Sequence, residues 1–193
     1  MGDGKGNYSF TFDFSQSKEL LNIVSAYKNA EGNSIFQPSQ FKKPLMLIAE
    51  ELDNVPGVYD SRSVIDTTHW KLGIRFAFVD IHALNSALSK LDRAKKNEDT
   101  FLKMKKRKAE WIRNVDWKTL ITEHMPSSSD ANTIMTQHID SANYSFHWML
   151  NREIKTVKSY EIERLGSTEL IYKGKIPNSD NVDFITQWDV KFK

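Results

Sequence analysis

The residues with the clearest capacity for chemistry are basic. "RAKK" at 93–96 and "KMKKRK" at 103–108 place eight Lys and Arg side chains in one short span, with Glu98 and Asp99 between them and Trp111 and Trp117 just beyond. Clustered ammonium and guanidinium groups are drawn to an anionic lipid surface, at about 1 kcal/mol for each group near acidic headgroups. The same groups can track a phosphate backbone while neighbouring rings stack on bases, or can simply solvate the tip of a hairpin. The formal net charge is only +2, from 27 basic and 25 acidic residues. The positive character is therefore local, and the chain as a whole lacks the electrostatic footprint of a nucleic-acid binder. Lys103, Lys105, Lys106, Arg107 and Lys108 are the candidate anionic-surface patch, and nucleic acid is not an expected partner.

Other chemistries fail on residue type or spacing. The chain has no cysteine, which removes disulfides, thiol catalysis and cysteine metal sites. Its five histidines, His69, His82, His124, His138 and His147, include no pair at the i,i+4 spacing that sets two ligands on one helix face. "GDGKG" at 2–6 precedes an alternating stretch instead of opening a helix, and no Lys-Ser/Thr pair follows it. That is not a phosphate-cradling loop. No G-x-S-x-G occurs, and Ser127, Ser128 and Ser129 sit in the loop "MPSSSDAN" at 125–132. No catalytic set, metal or cofactor is expected, and the reading is of a non-enzymatic chain.

The elements that must position the basic span follow from periodicity. In "NYSFTFDFS" rings occupy every second position, at Tyr8, Phe10, Phe12 and Phe14. That is the period of a strand with one buried face. Trp70 to Phe78 repeats it, as do Tyr144 to Leu150 and, less purely, Phe184 to Phe192. Strands sharing one device predict a sheet covered on one face, with Tyr8, Phe10, Phe12, Phe14, Leu72, Ile74, Phe76, Tyr144, Phe146 and Trp148 in a single buried layer. Helices are predicted over 16–28 behind a Ser15 cap, over 39–53, and onward from an Asp80 cap through Leu91. "NVPGV" at 54–58 turns into a strand near 58–65. Residues 99–105 and 108–113 read as a charged hairpin, and 160–164 and 168–174 as strands about Gly166-Ser167. The fold class expected is α+β: one curved antiparallel sheet with helices packed on its aromatic face, in a single domain spanning 1–193.

"WKLGIRFAFVDIHALNSALSKL" (70–91) resembles the strand-then-helix unit of small bacterial envelope lipoproteins, and "YSFHWMLNREIKTVKS" (144–159) resembles the strand and bend that open their C-terminal half. The opening "GDGKGNYSFTFDFS" is similar to the turn and strand near the start of the mature portion. The family named by this resemblance is the LppM-type lipoprotein domain. It implies an exported α+β domain in the periplasm or outer cell envelope, held at a membrane by a lipidated cysteine, with a binding or scaffolding role and a hint of lipid as ligand. The cysteine is absent from this sequence, and a hydrophobic leader with a cysteine is expected just upstream of Asp3 in the natural gene. The alternative function is a lipid- or hydrophobe-binding module with a pocket between sheet and helices.

Overall fold

The computed structural model describes residues 4–28, 31–32, 37–91, 101–115, 143–159, 161–175 and 184–193. Arg93 to Lys96, Glu98, Asp99, Trp117, His124, His138 and the 125–132 loop lie outside the described residues.

Each alternating stretch is a strand. β1 (Gly6–Asp13) pairs antiparallel with β3 (Lys71–Phe78) on one side and with β6 (Asn143–Leu150) on the other. The register aligns Tyr8 with Phe76 and Trp148, and Phe10 with Ile74 and Phe146. All these side chains therefore share one face, because parity is preserved along the whole pairing. β2 (Val58–Asp66) extends the sheet beyond β3, while β9 (Glu169–Lys175) and β8 (Ile162–Arg164) extend it beyond β6, in the order β2-β3-β1-β6-β9-β8.

A second antiparallel sheet has the order β4-β5-β10-β7, from β4 (Leu102–Lys105), β5 (Lys108–Val115), β10 (Phe184–Phe192) and β7 (Ile154–Lys158). The expectation of one curved sheet under helices is thereby corrected. Among the described residues the fold is α+β with two open antiparallel sheets and three helices, and over β1 and β6 it is the second sheet that covers the rings. Trp111 of β5 lies 4.9 Å from Trp148 and 6.0 Å from Tyr8, and Trp188 of β10 lies 5.5 Å from Trp148. The helices reach the β2–β3 side instead: α2 (Lys42–Asp53) and α3 (Ile81–Leu91) lie against β2 and β3, and α3 also borders β4. Asn85 of α3 clamps that border, donating to the Leu102 carbonyl and accepting from the Leu102 amide. A period-two stripe says that a face is buried but not by what, which is how helices could be expected where a sheet lies.

Local chemistry sets the element ends. The Asp80 carboxylate accepts from Ala83 N at 2.8 Å and starts α3. The first helical region instead opens with Asp13, whose carboxylate accepts from Ser15 N at 2.9 Å, a short 3₁₀ turn then leading into α1 (Lys18–Ala26). Trp70, in the left-handed region at φ 54, is held there by its indole donating to Asn22 of α1 and its carbonyl accepting from Phe14 N. Gly57 adopts φ 83, and a Cβ there would stand 2.7 Å from Val79. Only glycine fits that turn.

The ring layer is buried at Tyr8, Phe10, Phe14, Leu72, Ile74, Phe76, Tyr144, Phe146 and Trp148, while Phe12 is only partly buried against it. Phe146→Ala is therefore expected to cost about 3–5 kcal/mol, as full ring truncations in a core do, and Phe12→Ala less. Urea denaturation of both variants checks the ranking. Asp13 supplies a pH test. Burial raises its carboxyl pKa, but hydrogen bonds from Ser15 and the Lys71 ammonium at 3.1 Å outweigh that and hold it below the ordinary value of 3.8. A carboxyl with a depressed folded pKa adds stability above its unfolded value, and this is lost as pH falls through the folded value. Between about pH 4 and pH 2 the wild type should lose more stability than Asp13→Asn, measured by urea denaturation across that range.

Candidate anion-binding surface

β4 and β5 form a hairpin whose turn is Lys106-Arg107. Ala109, Trp111 and Arg113 are buried on its inner side, so Lys108, Glu110 and Ile112 face outward. Pairing then decides which charges meet. Lys105 stands directly across from Lys108, and Lys108 directly across from Lys191 of β10. Three ammonium groups thus occupy one row across three strands. In the next row Lys103 stands opposite Glu110, Glu110 opposite Asp189, and Asp189 opposite Lys158. That row is balanced, and the turn-proximal row is not.

Among the described residues no ion pair neutralises Lys105, Lys106, Arg107, Lys108 or Lys191, and all five are exposed. The turn they surround is anchored. Phe192 N donates to the Arg107 carbonyl at 2.9 Å. Arg152, in the bend before β7, donates from Nη2 to the Lys106 carbonyl at 2.9 Å while its guanidinium lies 4.8 Å from the centre of the Phe192 ring. The adjacent carboxylate, Glu153, is engaged by Lys193 at 2.7 Å, whose ammonium holds its pKa below the ordinary carboxylate value. The lobe therefore keeps Arg152 as a further cation and loses no charge to Glu153.

Of the candidate patch, the structure brings Lys105, Lys106, Arg107 and Lys108 together and leaves Lys103 in the balanced row. It adds Lys191 and Arg152, which lie 83 and 44 residues beyond Lys108 in the sequence; only the strand register could have revealed Lys191. Trp111 does not flank the lysines at the surface: it is fully buried, stacked on Trp188 at an interplanar angle of 4°. Beside β7, Val157, Lys158, Glu161, Gln187, Trp188 and Asp189 border a cavity of about 640 Å³. Among the described residues no group of three or more His, Asp or Glu is arranged to hold a metal ion, and no helix is long and apolar enough to cross a membrane. Comparison with protein-family models, with curated proteins and with solved structures returns no match to this chain.

Like charges directly opposite in a sheet are destabilising, and opposite charges there contribute roughly 0.2–1 kcal/mol. Lys108→Glu sets a carboxylate between Lys105 and Lys191. It should raise stability by up to about 1 kcal/mol at low ionic strength, a gain that fades in about 1 M salt as screening removes it. Thermal denaturation at the two salt concentrations measures both parts.

Proposed function

We propose that this chain is a non-enzymatic binding domain of the bacterial cell envelope, and that the turn end of its four-stranded sheet docks on an anionic membrane surface. The observation that carries the reading is the unpaired row Lys105–Lys108–Lys191, capped by Lys106 and Arg107. A row of like charges lowers the stability of the sheet that holds it, and acidic headgroups offset that repulsion. The envelope setting rests on the likeness of residues 70–91 and 144–159 to LppM-type lipoprotein domains.

A lipid surface fits this lobe better than a single strand of nucleic acid. Base binding needs exposed rings beside the cations, and the nearby Trp111 is buried. What lies outward on β5 is Ile112, 48% exposed, an aliphatic group suited to the headgroup boundary. The hydrophobe-pocket reading has less support, because Trp111 and Trp188 already occupy the space over the rings of β1 and β6.

Co-sedimentation with vesicles containing increasing phosphatidylserine or phosphatidylglycerol is the direct test. Binding should rise with acidic lipid and fall between about 0.1 M and 1 M salt, as the screening length shrinks from about 10 Å to about 3 Å. Replacing Lys105, Lys106, Arg107 and Lys108 with Gln should abolish most of it while leaving the fold intact, since exposed charges contribute little stability. Lys191→Gln alone should weaken binding about fivefold, the equivalent of about 1 kcal/mol. Equal partitioning of wild type and the quadruple variant overturns the proposal, as does tighter retention by single-stranded DNA than by acidic vesicles.

A further inference from the structure

On the opposite side of the molecule, the outer face of the six-stranded sheet carries a second charged row. Arg62 of β2 stands directly across from Arg75 of β3, Arg75 across from Ser9 of β1, and Ser9 across from His147 of β6. Two guanidinium groups, a hydroxyl and an imidazole are thus aligned across four strands. Arg75, Ser9 and His147 of this row border a groove of about 340 Å³, which Asn7 and Asp60 also line.

The two carboxylates at the ends of this row are already engaged. Between Tyr59 and Arg62 the pairing of β2 with β3 shifts register, and within that bulge Asp60 takes the left-handed conformation at φ 56. Its carboxylate accepts from both Nε and Nη2 of Arg62. Asp60 is therefore committed to the outer arginine, although it lines the same groove as Arg75. At the other end His147 Nε2 donates to Glu169 Oε1 at 2.5 Å, since a carboxylate only accepts. That fixes the ring beside Ser9. Arg75 is left with no hydrogen-bond or ion-pair partner among the described residues, and the Ser9 hydroxyl likewise. Asn7 Nδ2 makes only a 3.9 Å contact to the Met149 sulfur.

We infer that this groove binds an oxyanion group, a phosphate or carboxylate on a small ligand, with Arg75 as its principal contact and Ser9 and Asn7 as neutral donors. Three points converge on an anion. A guanidinium presents a planar fork of donors that matches two oxygens at once. Asp60, the carboxylate that shares the groove, is engaged by Arg62, so among the described residues no ion pair offsets the Arg75 guanidinium. The strained bulge keeps the nearest carboxylate turned to Arg62, and both bulges and strained residues concentrate beside functional sites. This site is independent of the lysine row, which lies on the outer face of the other sheet.

The test is an amide NMR titration of the whole chain with phenyl phosphate and, separately, benzoate, at constant ionic strength set with sodium chloride. Saturable shifts are expected at Ser9, Arg75 and His147 with at least one probe, and the tighter probe identifies phosphate or carboxylate as the ligand group. Arg75→Gln should weaken binding about tenfold, the loss expected when a charge-assisted hydrogen bond is removed. Arg75 is exposed, so the variant retains the fold, and its unchanged amide spectrum away from the groove verifies that. Ser9→Ala gives a milder loss of several-fold. Asp60→Asn should bind as tightly or more tightly, having lost a competing negative charge. The variant with Lys105, Lys106, Arg107 and Lys108 changed to Gln should bind both probes as wild type does, which separates this site from the membrane reading. Shifts confined to residues 103–108 and 191, titrations that do not saturate, or equal affinities for wild type and Arg75→Gln overturn the inference.

Discussion

Among the described residues, a buried polar contact joins the two sheets. Arg113 of β5 is 1% exposed, and its guanidinium donates to the Tyr8 hydroxyl of β1 at 2.6 Å. It also lies 5.1 Å from the Phe146 ring centre and 5.8 Å from that of Phe10. A guanidinium taken out of water has to find acceptors and π-faces in the protein, because an unsatisfied buried cation costs several kcal/mol. The Tyr8 hydroxyl supplies the acceptor at the middle of the larger sheet, and Phe10 and Phe146 supply the π-faces. The Tyr8 ring is within about 6 Å of Phe76, Trp111, Phe146 and Trp148. Sliding one sheet over the other by a residue pair would separate Arg113 from this phenol, so the contact restricts the docking to one register. Non-directional ring packing alone discriminates between such registers far less sharply.

Filling the interface this way commits both inner faces to structure. Trp111, Trp148 and Trp188 close on one another at 4.9–6.0 Å, and among the described residues none of their indole N–H groups finds an acceptor. Charge is consequently left to the two outer faces, where every second residue of each strand is free to carry it. On the smaller sheet that parity collects lysines, and on the larger one it collects arginine, serine and histidine.

Each of these surfaces runs against the stability of its own sheet. Lys108 between two lysines, and Arg62 opposite Arg75, are pairings that a sheet selected for stability alone would replace with opposite charges. The Glu110–Asp189 pair lies one row away, where a lysine stands at either end to balance it. Charge is thus balanced along the Lys103–Glu110–Asp189–Lys158 row and left uncompensated at the hairpin turn and at Arg75.

Much of this architecture was legible in the sequence, because alternation and capping are local. Strands at 71–78, 143–150 and 184–192, the Asp80 cap, the turn before Val58 and the hairpin around Lys106-Arg107 all follow from near neighbours along the chain. The short β7 was missed. Its five residues, Ile154 to Lys158, carry too brief an alternation, and a register shift opposite Lys191 and Phe192 interrupts its pairing. The basic cluster was visible as a composition, but its uncompensated portion was not. That Lys103 is balanced by Glu110 while Lys108 faces Lys191 is a property of which strands pair and in what register. Nothing local to Arg113 marks it as buried; the parity of β5 turns it inward. The sequence by itself determined which residues alternate, and so which faces could be buried. Only the tertiary structure decided what buries them and which charges meet across strands, because both depend on contacts between segments tens of residues apart that leave no periodic trace in either one.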